Sequence, residues 1–171
     1  MKNQRMLDEL TELMRIDVSS GQETEIAEHL VKKLEQMGFA ITRDEAGATF
    51  GGVCGNILAV REGERDGVVC FCSHMDRVPG GIGIKPVEED GILRSSGDTI
   101  LAADDLSGVA AILEGVRQAI ESGKALPKLE ILFTVGEEAG LYGAKAFDVS
   151  LLTSKTMYVL DSPGRIGRIV N

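Results

Sequence analysis

Apolar residues recur at helical spacing near the start of the chain, where Met6, Leu7, Leu10, Leu13 and Met14 form one stripe and predict an amphipathic helix over residues 4 to 16. A turn is expected at Asp17 to Gly21. Ser20, followed three residues later by Glu23, has the form of a capping box. Ile26, Leu30, Leu34 and Met37 then mark a second helix that stops near Gly38. Phe39 to Thr42, Asn56 to Val60 and Val68 to Cys72 are short β-rich segments separated by Gly, Asp and Glu. They predict strands joined as hairpins in the first part of a sheet, with a loop over Gly47 to Gly55. Between Pro79 and Asp98, Gly and turn residues dominate. Ile82, Ile84, Val87, Ile92 and Leu93 alternate there enough for a short hairpin, in a stretch that reads as active-site loops.

Leu106 to Glu121 carries Val109, Ile112, Leu113, Val116 and Ile120 at helical spacing, and Leu129 to Val135 is a continuous apolar run between Pro127 and Gly136. A helix followed by a buried strand predicts a βαβ unit. A short helix around Leu141 to Phe147, a strand at Met157 to Leu160 and the start of another at Ile166 to Val170 follow. The expected fold class is α/β, a mixed sheet flanked by helices. No internal repeat or low-complexity linker interrupts the pattern.

Composition narrows the class. At 171 residues the chain has the size of one domain, able to bury a core without disulfides. No apolar run approaches the roughly 20 residues that span a bilayer, which argues against a membrane segment. The start, Met1 to Leu7, has no apolar stretch behind its basic residues, so no secretory signal is read and the cytoplasm is the expected compartment. A formal charge of −9 argues against a nucleic-acid surface, which needs clustered Lys and Arg. Cys54, Cys70 and Cys72 are an odd number without an export signal, which favours reduced thiols. Cys70 and Cys72 read as small buried strand residues.

The candidate chemistry sits in four clusters, each just after an apolar run: His74 with Asp76, Asp104 with Asp105, Glu137 with Glu138, and Asp161. Each has a plain structural reading. A lone His-x-Asp is common on surfaces, Asp104 and Asp105 could cap the helix that follows, and Glu137 and Glu138 could be a solvated acidic turn. Together, four clusters at apparent strand ends match the placement of ligand sites beyond the carboxyl edge of an α/β sheet. One imidazole among several carboxylates is the donor mixture of a metal-dependent hydrolase. Asp76, on the same face of an extended chain as His74, is placed to hold the imidazole's other nitrogen. Of two adjacent glutamates, one can bind a cation and the other is free to take a proton from water. The other histidine, His29, lies in a polar helix far upstream, which leaves the donor set short of an imidazole.

These residues resemble the M20 family of metallopeptidases, with peptidase T-type members the nearest in pattern. The matching stretches are Ser73-His74-Met75-Asp76 with Val78-Pro79-Gly80, Ala103-Asp104-Asp105 with Ser107-Gly108, Gly136-Glu137-Glu138-Ala139-Gly140 with Gly143-Ala144, and Leu160-Asp161-Ser162. The resemblance implies that His74 and Asp161 bind one zinc, that Glu138 binds a second, and that Asp104 bridges them. It further implies that Asp76 orients His74 and that Glu137 is the general base, later the acid for the leaving amine, in amide hydrolysis of short peptides. Cobalt or manganese would accept the same ligands.

Two departures stand out. Leu106 occupies a position, two residues after the bridging aspartate, that is usually Lys in the family. The family pattern also continues with a dimerisation or lid domain and a C-terminal catalytic segment carrying a last metal-binding His. Residues 1–171 are accordingly expected to be a partial catalytic domain, with one metal site weak or empty and an apolar sheet edge open to association with a second copy. Two alternatives stay open: a catalytically inactive scaffold that binds metal or a partner chain, and a structural domain whose acids are only caps and turns.

Overall fold

A computed structural model describes residues 4–162. The strand expected at Ile166 to Val170 lies outside the described residues.

The first helix, α1, spans Gln4–Met14 and buries Leu13 and Met14 completely. The second, α2, spans Thr24–Gln36 and turns Ile26, Ala27, Leu30, Val31 and Leu34 inward, the stripe expected from spacing. It ends as the sequence predicts. Gly38 adopts φ 83°, its N–H and that of Phe39 bond back to the carbonyls of Glu35 and Leu34, and the last turn is thereby closed.

The start of α2 departs from expectation, because no capping box forms. Glu23 stands at the N-cap without a side-chain cap bond. Ser20 instead bonds distant Asp76, and Glu23 accepts the amides of nearby Gly21 and distant Gly136.

Five strands form the main sheet: β1 (Ala40–Arg43), β2 (Ile57–Arg61), β3 (Val68–His74), β6 (Lys128–Thr134) and β7 (Met157–Val159), in the order β1-β2-β6-β3-β7. A separate hairpin joins β4 (Pro86–Glu89) and β5 (Ile92–Ser95) within the expected loop region. Only the first hairpin of the main sheet is as predicted. β1 and β2 pair antiparallel, but β6 inserts between β2 and β3, pairing antiparallel with β2 and parallel with β3. The insertion fits the burial of β6, which is buried almost throughout and carries Leu129, Ile131 and Phe133 on the face toward the helices, so it takes the centre of the sheet.

The helix α3 (Ala103–Glu121) connects β3 to β6, completing the predicted βαβ unit. Asp104 and Asp105 lack helical backbone angles, so the regular helix begins at Leu106. Leu106 itself is fully buried in the core. The stripes of α1, α2 and α3 pack with Ile57, Ala59, Leu129, Ile131 and Phe133 on one face of the sheet. The opposite face carries a smaller cluster of Leu58, Cys72, Leu132 and Phe147, near the short helix α4 (Tyr142–Ala146). The sheet is thus mixed and flanked by helices, as expected. Its β7 edge leaves Tyr158 and Val159 more than half exposed.

The cysteines are free thiols. Cys70 and Cys72 are buried strand residues, and burial pushes both thiols up to about 12. Among the described residues, no helix is long and apolar enough to cross a membrane.

Candidate functional site

Parallel strands β3, β6 and β7 all run toward the same end of the sheet, and the residues just beyond them converge there. His74 closes β3, Glu137 and Glu138 follow β6 after Val135 and Gly136, and Asp161 lies two residues past β7. Asp104 arrives from the non-helical start of α3, next to a cis peptide with Asp105.

The His74 ring is 2% exposed and is engaged on both nitrogens. Nε2 stands 3.0 Å from Oδ1 of Asp104 and 4.0 Å from Oε2 of Glu137. Nδ1 lies 3.1 Å from the Asp76 carbonyl oxygen and 3.4 Å from its Oδ1. Burial alone would lower the imidazole pKa, but the carboxylates of Asp76 and Asp104 outweigh it and lift the pKa to about 10.

Asp76 is completely buried. Its Oδ1 accepts the N–H of Glu137 at 2.9 Å, and its Oδ2 accepts the N–H of Glu138 at 3.1 Å and the hydroxyl of Ser20. Despite burial, these bonds and the His74 ring hold its pKa below the ordinary aspartate value. One carboxylate therefore links the end of β3 to the turn that carries both glutamates.

The adjacent aspartates divide the two roles left open by the sequence. Asp105 is buried and accepts the N–H of Gly108 at 3.1 Å, as an N-cap does, together with the hydroxyl of Ser73. Burial raises its pKa to about 6. Asp104 keeps its carboxylate open, with the side chain 73% exposed, and turns it toward His74.

His74, Asp104 and Glu138 each offer one donor atom, and these three atoms lie within 4.8 Å of one another. Burial raises the pKa values of Glu137 and Glu138, and surrounding carboxylates add to the rise. Asp161 is outside this tight group. It lines one cleft with Asp104 and Asp105 and another with His74 and Glu137. His29 pairs elsewhere, its Nε2 3.7 Å from Glu12 Oε1 on α1.

Three contributors were not legible as site residues. Ser20 and Glu23 carried a local capping pattern that hid their distant partners. Asn56 was read only as the start of a strand, but its buried amide takes the N–H of Val135 and donates to the carbonyl of Gly143 and to Asp44.

Known proteins resemble this chain in sequence and fold. The family model described as Peptidase family M28 matches residues 56–167. The YqjE protein of Bacillus subtilis (strain 168) is 38% identical over 171 residues, which is 99% of this chain and 46% of YqjE. The crystal structure of aminopeptidase PepT from Bacillus cereus ATCC 10987 superposes with a TM-score of 0.93 at 40% identity, over 96% of this chain and 45% of that one. A tripeptidase from Staphylococcus aureus gives a TM-score of 0.89 at 34% identity, over 95% of this chain and 44% of its own. The chain spans less than half the length of each of these relatives. Its motifs, the family match and the shared fold agree: the chain belongs to peptidase family M28, and its resemblance to M20 peptidases of the peptidase T type holds over nearly its whole length.

Proposed function

We propose that this chain forms the metal-binding core of a site that hydrolyses peptide bonds in short peptides. In this reading His74, Asp104, Glu138 and Asp161 are the metal ligands, Glu137 is the general base and Asp76 orients His74. The observation that carries it is the convergence of His74, Asp104 and Glu138 within 4.8 Å, while Asp76 occupies the other side of the same imidazole. The relatives named as an aminopeptidase and a tripeptidase support short peptides as the substrate class.

The donor set fits a divalent cation of the zinc type, one imidazole with carboxylate oxygens, and cobalt or manganese accept the same atoms. Asp104, Glu138 and His74 would hold such a cation together. When bound, such a cation polarises the scissile carbonyl and lowers the pKa of water.

The remaining work falls to the chain's own groups. Glu137 has a partly buried carboxylate whose pKa is raised, which suits a group that takes a proton from the attacking water and returns it to the leaving amine. Asp76 accepts from Nδ1 of His74, so that Nε2 is the nitrogen turned toward Asp104.

The test is metal content before and after chelation, with tripeptide hydrolysis followed on the same samples. Bound metal with metal-dependent turnover supports the proposal, and Glu137→Gln should then lower turnover by about 10²–10⁴-fold while metal stays bound. Turnover that survives this substitution would remove Glu137 as the base. Metal without turnover would favour a binding scaffold, and failure to take up metal would sink the ligand assignment.

A further inference from the structure

Glu23 is fully buried, yet among the described residues no basic side chain bonds to its carboxylate. Its Oε1 accepts two backbone amides, Gly21 at 2.8 Å and Gly136 at 3.0 Å, and the Cys54 thiol stands 4.0 Å from Oε2. A buried carboxylate without a counter-cation is costly. A hydrophobic side chain of similar size would remove that cost but leave both amides unpaired.

The placement of the second amide explains what the cost secures. Gly136 precedes Glu137 and Glu138, whose own N–H groups are held by Asp76. Three successive amides therefore point at two buried carboxylates, one from α2's leading edge and one from the loop after β3. The turn has little freedom otherwise, since Gly136 adopts φ 59° and a Cβ there would lie 2.6 Å from the Phe50 ring. The segment carrying Glu23 also touches the site a second time, through the Ser20 hydroxyl on Asp76.

We propose that Glu23 is a positioning residue for the candidate site: with Asp76, it fixes the backbone of Gly136, Glu137 and Glu138, so that the two glutamates extend toward His74 and Asp104. The inference rests on the metal-site reading above for its consequence, but the positioning itself can be measured without metal.

The experiment compares the parent chain with Glu23→Asp, which keeps the charge but shortens the reach, and with Glu23→Gln, which keeps both shape and an acceptor oxygen. Amide hydrogen exchange is measured on the metal-free chains, and affinity for Zn²⁺ alone on the same preparations. In E23D the amides of Gly136, Glu137 and Glu138 should exchange faster while those of β6 stay protected, and Zn²⁺ affinity should fall about ten- to a hundredfold. E23Q should remain near the parent in both readouts.

Unchanged exchange at these three amides in E23D overturns the proposal. So does faster exchange with unchanged Zn²⁺ affinity, which would make Glu23 merely structural. Faster exchange confined to the turn, in a parent that binds no Zn²⁺, supports the positioning and overturns only the metal-site reading.

Discussion

Nε2 of His74 stands 3.0 Å from Oδ1 of Asp104, across 30 positions of sequence. The two groups differ sharply in exposure, the imidazole at 2% and the carboxylate at 73%. The contact thus joins a fixed, buried donor to one that is open to solvent. Packing of α3 onto β3 is what brings them together, because Asp104 lies at the start of the helix and His74 at the end of the strand.

This pair gives the first prediction. Zn²⁺ at a hundredfold excess over its Kd should stabilise the chain by about 2.7 kcal/mol. For a domain of this size that is a rise of roughly 5–11 °C in Tm. Asp104→Asn and His74→Ala should each lose most of the rise, and chelator should return the parent to its metal-free Tm. Calorimetry with and without Zn²⁺ checks this, and an undiminished rise in D104N would count against Asp104 as a ligand.

Asn56 ties the strand ends below the site. Its Nδ2 donates to Asp44 at 2.7 Å and to the Gly143 carbonyl at 2.9 Å, and its Oδ1 takes the Val135 N–H at 3.1 Å. Asn56→Asp keeps the shape but sets an oxygen against two acceptors in a buried place. Denaturant unfolding should show a loss of about 1–3 kcal/mol. A variant as stable as the parent would mean that these bonds contribute little.

Two glycines of α3 should respond in opposite directions to the same substitution. A Cβ on Gly108 would lie 2.5 Å from the Asp105 carboxylate oxygens and 2.6 Å from the Leu160 carbonyl, whereas a Cβ on Gly115 meets nothing within 4 Å. Gly108→Ala should cost about 1–3 kcal/mol through overpacking. Gly115→Ala should gain about 0.5–1 kcal/mol by removing a flexible residue from a helix interior. Equal effects at both positions would contradict the close packing around Asp105.

What the sequence made legible follows from the range of the forces involved. The stripes on α1, α2 and α3 are local periodic signals, and each helix forms within a few residues of its expected span. The gathering of His74, Glu137, Glu138 and Asp161 at one end of the sheet could be read because each follows an apolar run that forms a parallel strand. Asp104 follows no such strand and reaches them from the start of α3. The position of β6 between β2 and β3 was hidden, since pairing partners far apart leave no periodic trace. Ser20 and Glu23 were misread for the opposite reason. Their spacing satisfies a local capping pattern, while their bonds reach 56 and 113 residues along the chain.

Acid stability should depend on a charged cluster further along α3, where that helix meets α1. The Glu114 carboxylate is 6% exposed and receives Nε and Nη2 of Arg5 at 2.8 Å each, Nη1 of Arg117 at 3.1 Å and the Gln118 amide at 2.7 Å. The Arg5 bonds are the main cause that holds its pKa down to about 2, against an ordinary 4.5. A carboxyl group whose pKa is lower in the folded chain stabilises the fold above its unfolded pKa. That contribution fades as pH falls through 4.5 and is gone below about 2. The stability difference between the parent and Glu114→Gln, measured by urea unfolding, should therefore be constant above pH 6 and shrink steadily through that window. High salt should shrink it less than it would for an exposed pair, because the carboxylate is buried while its Arg5 partner is only part exposed. A difference that stays constant down to pH 2 would show that Glu114 acts through packing and neutral hydrogen bonds, not through its charge.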